Sequence, residues 1–217
     1  MIIMLLVCFI GAILNIFNNI VFTSAIKLPL FLDTILTIAV TFTYGPVWGV
    51  LCGTLTNLIS NIVWFWGWGG FLFTICNIAT AIITWWFCLF FPRELNFYST
   101  ALKIPPQLQP HRNTRVSIIM DRMIILILLS FALCIAMSIL GGIIAALILN
   151  MPSTYQDESL VSSMFSESMF RNTFPQVLKE IFARIPVNII DRLISVFAGY
   201  GIALGYRKLF KNQYNKI

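Results

Sequence analysis

The sequence predicts an all-α integral membrane protein: a compact bundle of six transmembrane helices with both termini cytoplasmic. Three observations predict it. The 217 residues are 59% hydrophobic and only 10% charged, with a mean hydropathy of +0.90, too little charge to cover a soluble domain. Several apolar runs exceed the roughly 18 residues that cross a hydrocarbon core. The stretches between those runs are too short to fold alone, so a single membrane domain over residues 1–217 accounts for the chain.

The first helix is expected over about residues 2–22. It could pass for a signal peptide, but no Lys or Arg precedes Lys27, and a signal peptide wants a basic start. The uncharged start leads us to expect a short basic leader ahead of it. A short second helix over about 32–45 takes Asp33 as its N-cap and stops at Gly45-Pro46. The third follows at once, over about 47–64. The aromatic, glycine-rich run Trp64 to Gly70 then reads as a turn at the membrane interface, where tryptophan is favoured. The fourth helix, about 71–91, is ended by Pro92-Arg93-Glu94. Residues 93–121, polar and holding Pro105, Pro106 and Pro110, read as a cytoplasmic loop. A fifth helix over about 122–149, an acidic extracellular loop over 150–175 and a sixth helix over about 176–206 complete the bundle.

Charge orients these spans. Arg93, Lys103, Arg112, Arg115, Arg122, Arg207, Lys208, Lys211 and Lys216 fall on one side, while the other carries Lys27, Arg171 and Lys179 with acids. The basic side is cytoplasmic. The net charge of +6 therefore reflects topology, and nucleic acid is not an expected partner; the lipid bilayer is.

Catalysis and metal binding find no support in the residues. Cys8, Cys52, Cys76, Cys88 and Cys134 all lie in apolar runs without a CxxC pair, and His111, the one histidine, sits in a polar loop. They read as packing residues rather than ligands. No nucleophile–base pair and no phosphate-binding glycine loop appears. The chain is not expected to be an enzyme, to hold a cofactor or to hydrolyse ATP.

Binding is the better expectation. Gly45, Gly49 and Gly53 recur every four residues, and Asn57 and Asn61 continue that spacing. Small residues so placed let another helix approach closely, so this face is read as a helix-packing seam leading to a polar end. Asn15, Asn18, Asn19, Asn77 and Asn188 are further amides in apolar surroundings, which need partners. They can satisfy one another or orient a polar ligand. Arg184, Asn188 and Asp191 share a helix face at i, i+4 and i+7. Charges at such depth are paired or functional. Arg184 can meet a substrate anion, or pair with Glu180 or Asp191; Arg192, off that face, has Asp33 as a candidate partner. Trp64 and Trp68 can stack on a ring-shaped ligand or anchor the interface. Asn57, Asn61, Asn77, Arg184, Asn188, Asp191, Trp64 and Trp68 are thus the candidate substrate-binding residues.

Two stretches carry a resemblance. The first is Leu28-Pro29-Leu30-Phe31-Leu32-Asp33-Thr34-Ile35, then Tyr44-Gly45-Pro46-Val47-Trp48-Gly49, Gly53 and Thr56-Asn57. The second runs from Ile185-Pro186-Val187-Asn188 through Asp191-Arg192 to Ser195-Val196. Together they resemble the second, third and last helices of substrate-binding S-components of energy-coupling factor (ECF) transporters, with Arg192 where that family often has Lys. The resemblance implies a six-helix subunit that binds a vitamin or similar micronutrient from outside. It implies docking on a T-component and two cytoplasmic ATPases, which would use the ATP. The loop from Lys27 to Phe31 would act as a lid. The family's docking face is a small-xxx-small pair on the first helix, to which Cys8 and Ala12 are the nearest match here. A membrane sensor module of bacterial signalling proteins shares the Leu-Asp-Thr and Gly-Pro pattern, but is normally fused to a kinase or cyclase domain.

Overall fold

The computed structural model describes residues 1–25, 30–64, 67–95, 115–149 and 175–209. Every regular element among them is a helix. Helix α1 covers Ile2–Ile20 and widens into a π-helical turn over Val21–Ala25. There the Thr23 hydroxyl donates to the Asn19 carbonyl at 2.6 Å, a local bond that competes with the regular helical ladder.

Helix α2, Ile35–Tyr44, has 10 residues. At 1.5 Å per residue it reaches about 15 Å, half of a hydrocarbon core of about 30 Å. Beside this short apolar helix stand five helices long and apolar enough to cross a membrane: Ile2–Thr23, Pro46–Val63, Gly70–Phe90, Ile119–Ile148 and Val177–Leu209. This is a multi-pass membrane protein. Both ends of α2 depart from expectation. Thr34, not Asp33, is its N-cap, and no side chain caps it. Gly45 ends it at φ 93°, a conformation that costs an L side chain but not glycine. Gly45 is therefore the turn itself rather than the first rung of a helical glycine seam. Pro46 then opens α3, Pro46–Trp64, at the helix position where a missing N–H costs nothing.

The expected turn Trp64–Gly70 is partly helical: Gly67–Leu72 form α4, and α5 runs Thr74–Phe90 after a break at Phe73. A four-residue helix α6, Pro92–Leu95, follows. Helix α7, Arg115–Leu149, starts well before the expected residue 122, so the expected cytoplasmic loop gives up its end to a helix. The Arg122 guanidinium Nε donates to the Glu94 carbonyl at 2.7 Å, tying α7 to α6. Helix α8, Gln176–Leu209, holds Pro186 in its interior. Most of both expected loops, 96–114 and 150–174, lies outside the described residues.

Contacts fix the directions. Cys8 meets Trp48, Gly11 meets Cys52 and Asn15 meets Thr56, so α1 and α3 run together. Gly49 approaches Thr41 and Ala81, and Gly53 approaches Thr37 and Asn77, so α2 and α5 run against α3. Asn188 bonds Ser138, and Gly141 faces Arg184, which makes α7 and α8 antiparallel. Leu32 meets Asp191 while Tyr44 meets Tyr206, so α2 and α8 run together. The N-terminal end of α1 and the C-terminal end of α8 thus lie toward the same end of the bundle.

The helices approach as closely as they do because small residues sit at the crossings. A Cβ on Gly199 would lie 2.8 Å from the Ile35 carbonyl, and one on Gly142 2.8 Å from the Ile181 nitrogen. Around these crossings Ile38, Phe42, Leu129, Leu133, Val196, Tyr200 and Ala203 form the apolar core, with Phe42 and Tyr200 edge to face at 5.5 Å. The outward side of the bundle is apolar too, with Phe17, Trp86, Phe131 and Ile190 each at least 48% exposed. This is the pattern of a surface solvated by lipid tails.

Candidate functional site

The densest polar cluster joins α8 to the chain entering α2. Asp191 is fully buried. One of its carboxylate oxygens accepts from the Leu32 N–H at 2.8 Å. The other pairs with the Arg192 guanidinium at 2.7 Å. Arg192 also donates to the Thr34 hydroxyl at 2.6 Å and lies 3.8 Å from Asp33. So Arg192 reaches its expected partner Asp33, but its tighter partner is its own neighbour Asp191. Asn77 on α5 and Arg192 both act on the Asp33 carboxylate. This cluster holds Leu32 at φ 45°, the one non-glycine with positive φ among the described residues. Leucine at that φ costs energy, which the Asp191 bond to its N–H offsets.

A second knot is built on Asn15 of α1, which is fully buried. Its amide nitrogen donates to the Thr37 and Thr56 hydroxyls, both at 3.2 Å, and its oxygen accepts the Leu36 N–H at 2.9 Å. One amide thereby joins α1, α2 and α3. Asn188 donates to Ser138 at 2.9 Å across α8 and α7. Asn77 makes a long 3.5 Å contact to the Gly53 carbonyl. These amides are in the first instance satisfied by protein.

Toward the end of the bundle away from the chain termini the arrangement changes. Arg184 lies with its guanidinium carbon 5.6 Å from the centre of the Phe73 ring, within cation–π reach. Gly141 on α7 lies against the Arg184 side chain, at a distance where a Cβ would make ordinary contact at 3.6 Å. Glu180, one turn before Arg184, is buried as well. On α3, Asn57 and Asn61 extend the Gly53 face by one and two turns, about 6 and 12 Å further along the axis. The Asn61 amide nitrogen donates to the Asn57 carbonyl at 2.7 Å. Its oxygen and the Asn57 amide nitrogen are buried with no hydrogen-bond partner among the described residues.

Of the candidate substrate-binding residues, Asn57, Asn61, Asn77, Arg184, Asn188 and Asp191 gather toward this one end. Asp191 and Asn188 are taken up by structural bonds; Asn57 and Asn61 each keep an atom with no partner among the described residues. Trp64 ends α3 and Trp68 lies in α4, but their side chains fall outside the described residues. So does the stretch 26–29 of the expected lid. Cys8 and Ala12 are fully buried, Cys8 donating to the Trp48 carbonyl at 3.4 Å. Neither side chain lies on the outer surface of the bundle. Phe73, Thr34 and Ser138 were not among the candidates. Thr34, Thr37 and Thr41 stand at i, i+3 and i+7 on one helix face, a signal the sequence did contain. Phe73 gave none, since its role depends on the break between α4 and α5.

No family model matches the chain, and no curated protein or solved structure does either.

Proposed function

We propose that this chain is a substrate-capture subunit of an ECF-type importer in a bacterial cytoplasmic membrane. It binds a vitamin or related micronutrient from outside and delivers it together with a T-component and two cytoplasmic ATPases. Both chain termini face the cytoplasm, so the end of the bundle that gathers Arg184, Asn57, Asn61 and Asn77 faces out. ATP is consumed by the partners, and the chain itself performs no chemistry.

The observation that carries this reading is the asymmetry of the bundle. One end is closed by aromatic packing, with Tyr44 and Tyr206 edge to face and hydrogen-bonded through their hydroxyls. The other holds buried hydrogen-bonding groups and an arginine over an aromatic ring. Uncharged hydrogen-bonding groups in a low-dielectric interior suit a polar organic molecule, where a single unmet bond is costly. Rings of carboxylates, as an ion pore would use, are not the pattern here.

Thermal stabilisation of the purified protein by a panel of vitamins and their precursors tests the reading. A ligand at one hundred times its Kd adds about 2.7 kcal/mol. The same preparation, pulled from its native membrane, should bring a T-component and ATPases with it. A flat response to the whole panel would sink the proposal. Recovery of a kinase in place of ATPases would convert it to a membrane-embedded sensor.

A further inference from the structure

From the two open valences on α3 we infer the chemistry of the ligand: a neutral, planar edge with an N–H beside a carbonyl, as in a lactam, a cyclic urea or a pyrimidinone. The inference rests on the capture reading and names the part of the ligand that α3 reads.

The argument begins with which atom of each amide is committed. Asn61 is 5% exposed. Its nitrogen is spent on the Asn57 carbonyl at 2.7 Å, which fixes the amide plane and leaves the oxygen as the unused group. That oxygen is an acceptor and is buried without a partner among the described residues. One turn earlier, the Asn57 side-chain nitrogen is a donor in the same condition. At i and i+4, side chains on a helix are neighbours, with Cβ atoms about 6 Å apart. So a donor and an acceptor stand side by side, each buried and each unused. They are not used on each other.

Buried polar atoms without partners are uncommon and call for an explanation. Elsewhere in this bundle amides are met by protein: Asn15 makes three bonds and Asn188 meets Ser138. Thr84 and Ser195 also hold a buried hydroxyl without a partner among the described residues, but the Asn57–Asn61 pair alone sets an unmet amide donor beside an unmet amide acceptor one turn apart, where the Gly53 face runs out toward the polar end. A ligand that presents N–H to Asn61 and C=O to Asn57 satisfies both at once. A carboxylate cannot, because it has no hydrogen for the Asn61 oxygen. An ammonium cannot accept from Asn57.

The test has two arms on protein in lipid nanodiscs. In the first, melting of the ligand-free protein is compared for wild type, Asn57→Leu and Asn57→Asp. If the valence is kept open for a ligand, Asn57→Leu removes an unmet donor from the interior and melts at the same or a higher temperature. A lowered melting temperature means that the Asn57 amide already has a structural partner, and overturns the inference. In the second, saturation-transfer NMR compares 2-pyrrolidone with N-methyl-2-pyrrolidone, whose donor is blocked. We expect 2-pyrrolidone to bind, with about tenfold weaker binding for the methylated probe or on Asn57→Asp, as for one lost hydrogen bond. Equal binding of the two probes, or binding untouched by either Asn57 substitution, refutes it. A positive probe result alongside a flat vitamin panel separates the two proposals: the edge-reading pair stands and the import reading falls.

Discussion

Replacing Asp191 with alanine should cost more than any other single substitution in the described polar network. Three interactions end on this carboxylate or depend on it. The Leu32 N–H loses its acceptor at 2.8 Å. Arg192 loses its partner at 2.7 Å and keeps the Thr34 hydroxyl at 2.6 Å and Asp33, its other carboxylate, only at 3.8 Å. The entry to α2, held at an unfavourable Leu32 φ of 45°, loses its tether. Removing one partner of a buried ion pair typically costs about 3–5 kcal/mol, and an orphaned buried donor about 1–3 kcal/mol. The terms overlap, so we expect about 4 kcal/mol for Asp191→Ala. Asp191→Asn separates them: its one oxygen can still accept from Leu32, while its NH2 cannot accept from Arg192, so the ion pair goes and the tether stays, and it should cost less. The double variant Asp191→Leu with Arg192→Met removes both charges and should recover most of the loss, because an apolar pair of similar volume can replace a buried ion pair at little cost. Equilibrium unfolding in mixed micelles measures all four proteins. If Asp191→Ala costs less than about 1 kcal/mol, the value of an exposed ion pair, or if the double variant is no more stable than Asp191→Ala, the reading is wrong.

Other outcomes follow from the packing. Gly199→Ala places a Cβ 2.8 Å from the Ile35 carbonyl and should destabilise, whereas Gly201→Ala, with nothing within 4 Å, should be neutral or better by up to about 1 kcal/mol of helix propensity; the same unfolding assay reads both. Asn15→Leu breaks three hydrogen bonds at once; at about 0.6 kcal/mol each for bonds between membrane helices, the melt should show a loss near 2 kcal/mol or more, and no loss would mean that α1 is not held by this knot. Phe73→Leu removes the ring under Arg184. We expect a small stability loss, about 0.5–2 kcal/mol, with a larger loss of ligand binding if Arg184 faces the substrate. Unchanged binding would assign Arg184 to structure alone.

Much of the fold was legible in the sequence because a membrane imposes simple demands. An apolar run long enough to cross must be a helix, since its backbone has no other partner, and five of the expected spans are such runs. The weaker expectations failed where the demand was local. Helix α2 is short and apolar as expected, but its exact ends were decided by Leu32–Thr34 being held against α8 and by Gly45 at positive φ. Asp33 looked like an N-cap, but its carboxylate turns toward Arg192, 3.8 Å away, instead. The start of α7 was misjudged because Arg115 to Arg122 are polar enough to look like a loop, and polarity alone does not stop a helix.

The candidate site divides in the same way. Spacing put Asn57 and Asn61 on the Gly53 face, and periodicity put Asn188 and Asp191 on one side of α8. Only the tertiary structure decided which of these are used up. Asp191 is spent on Leu32 and Arg192, Asn188 on Ser138, and Cys8 and Ala12 are turned inward. Two buried amide atoms on α3 have no partner among the described residues. The sequence alone determined that the chain is a helical membrane protein and which residues are polar within it, because hydrophobicity and helical period are properties of the chain itself. Whether a buried polar group holds the fold together or waits for a ligand was decided only by tertiary structure, because a partner comes from another helix, and that pairing exists only once the helices have packed.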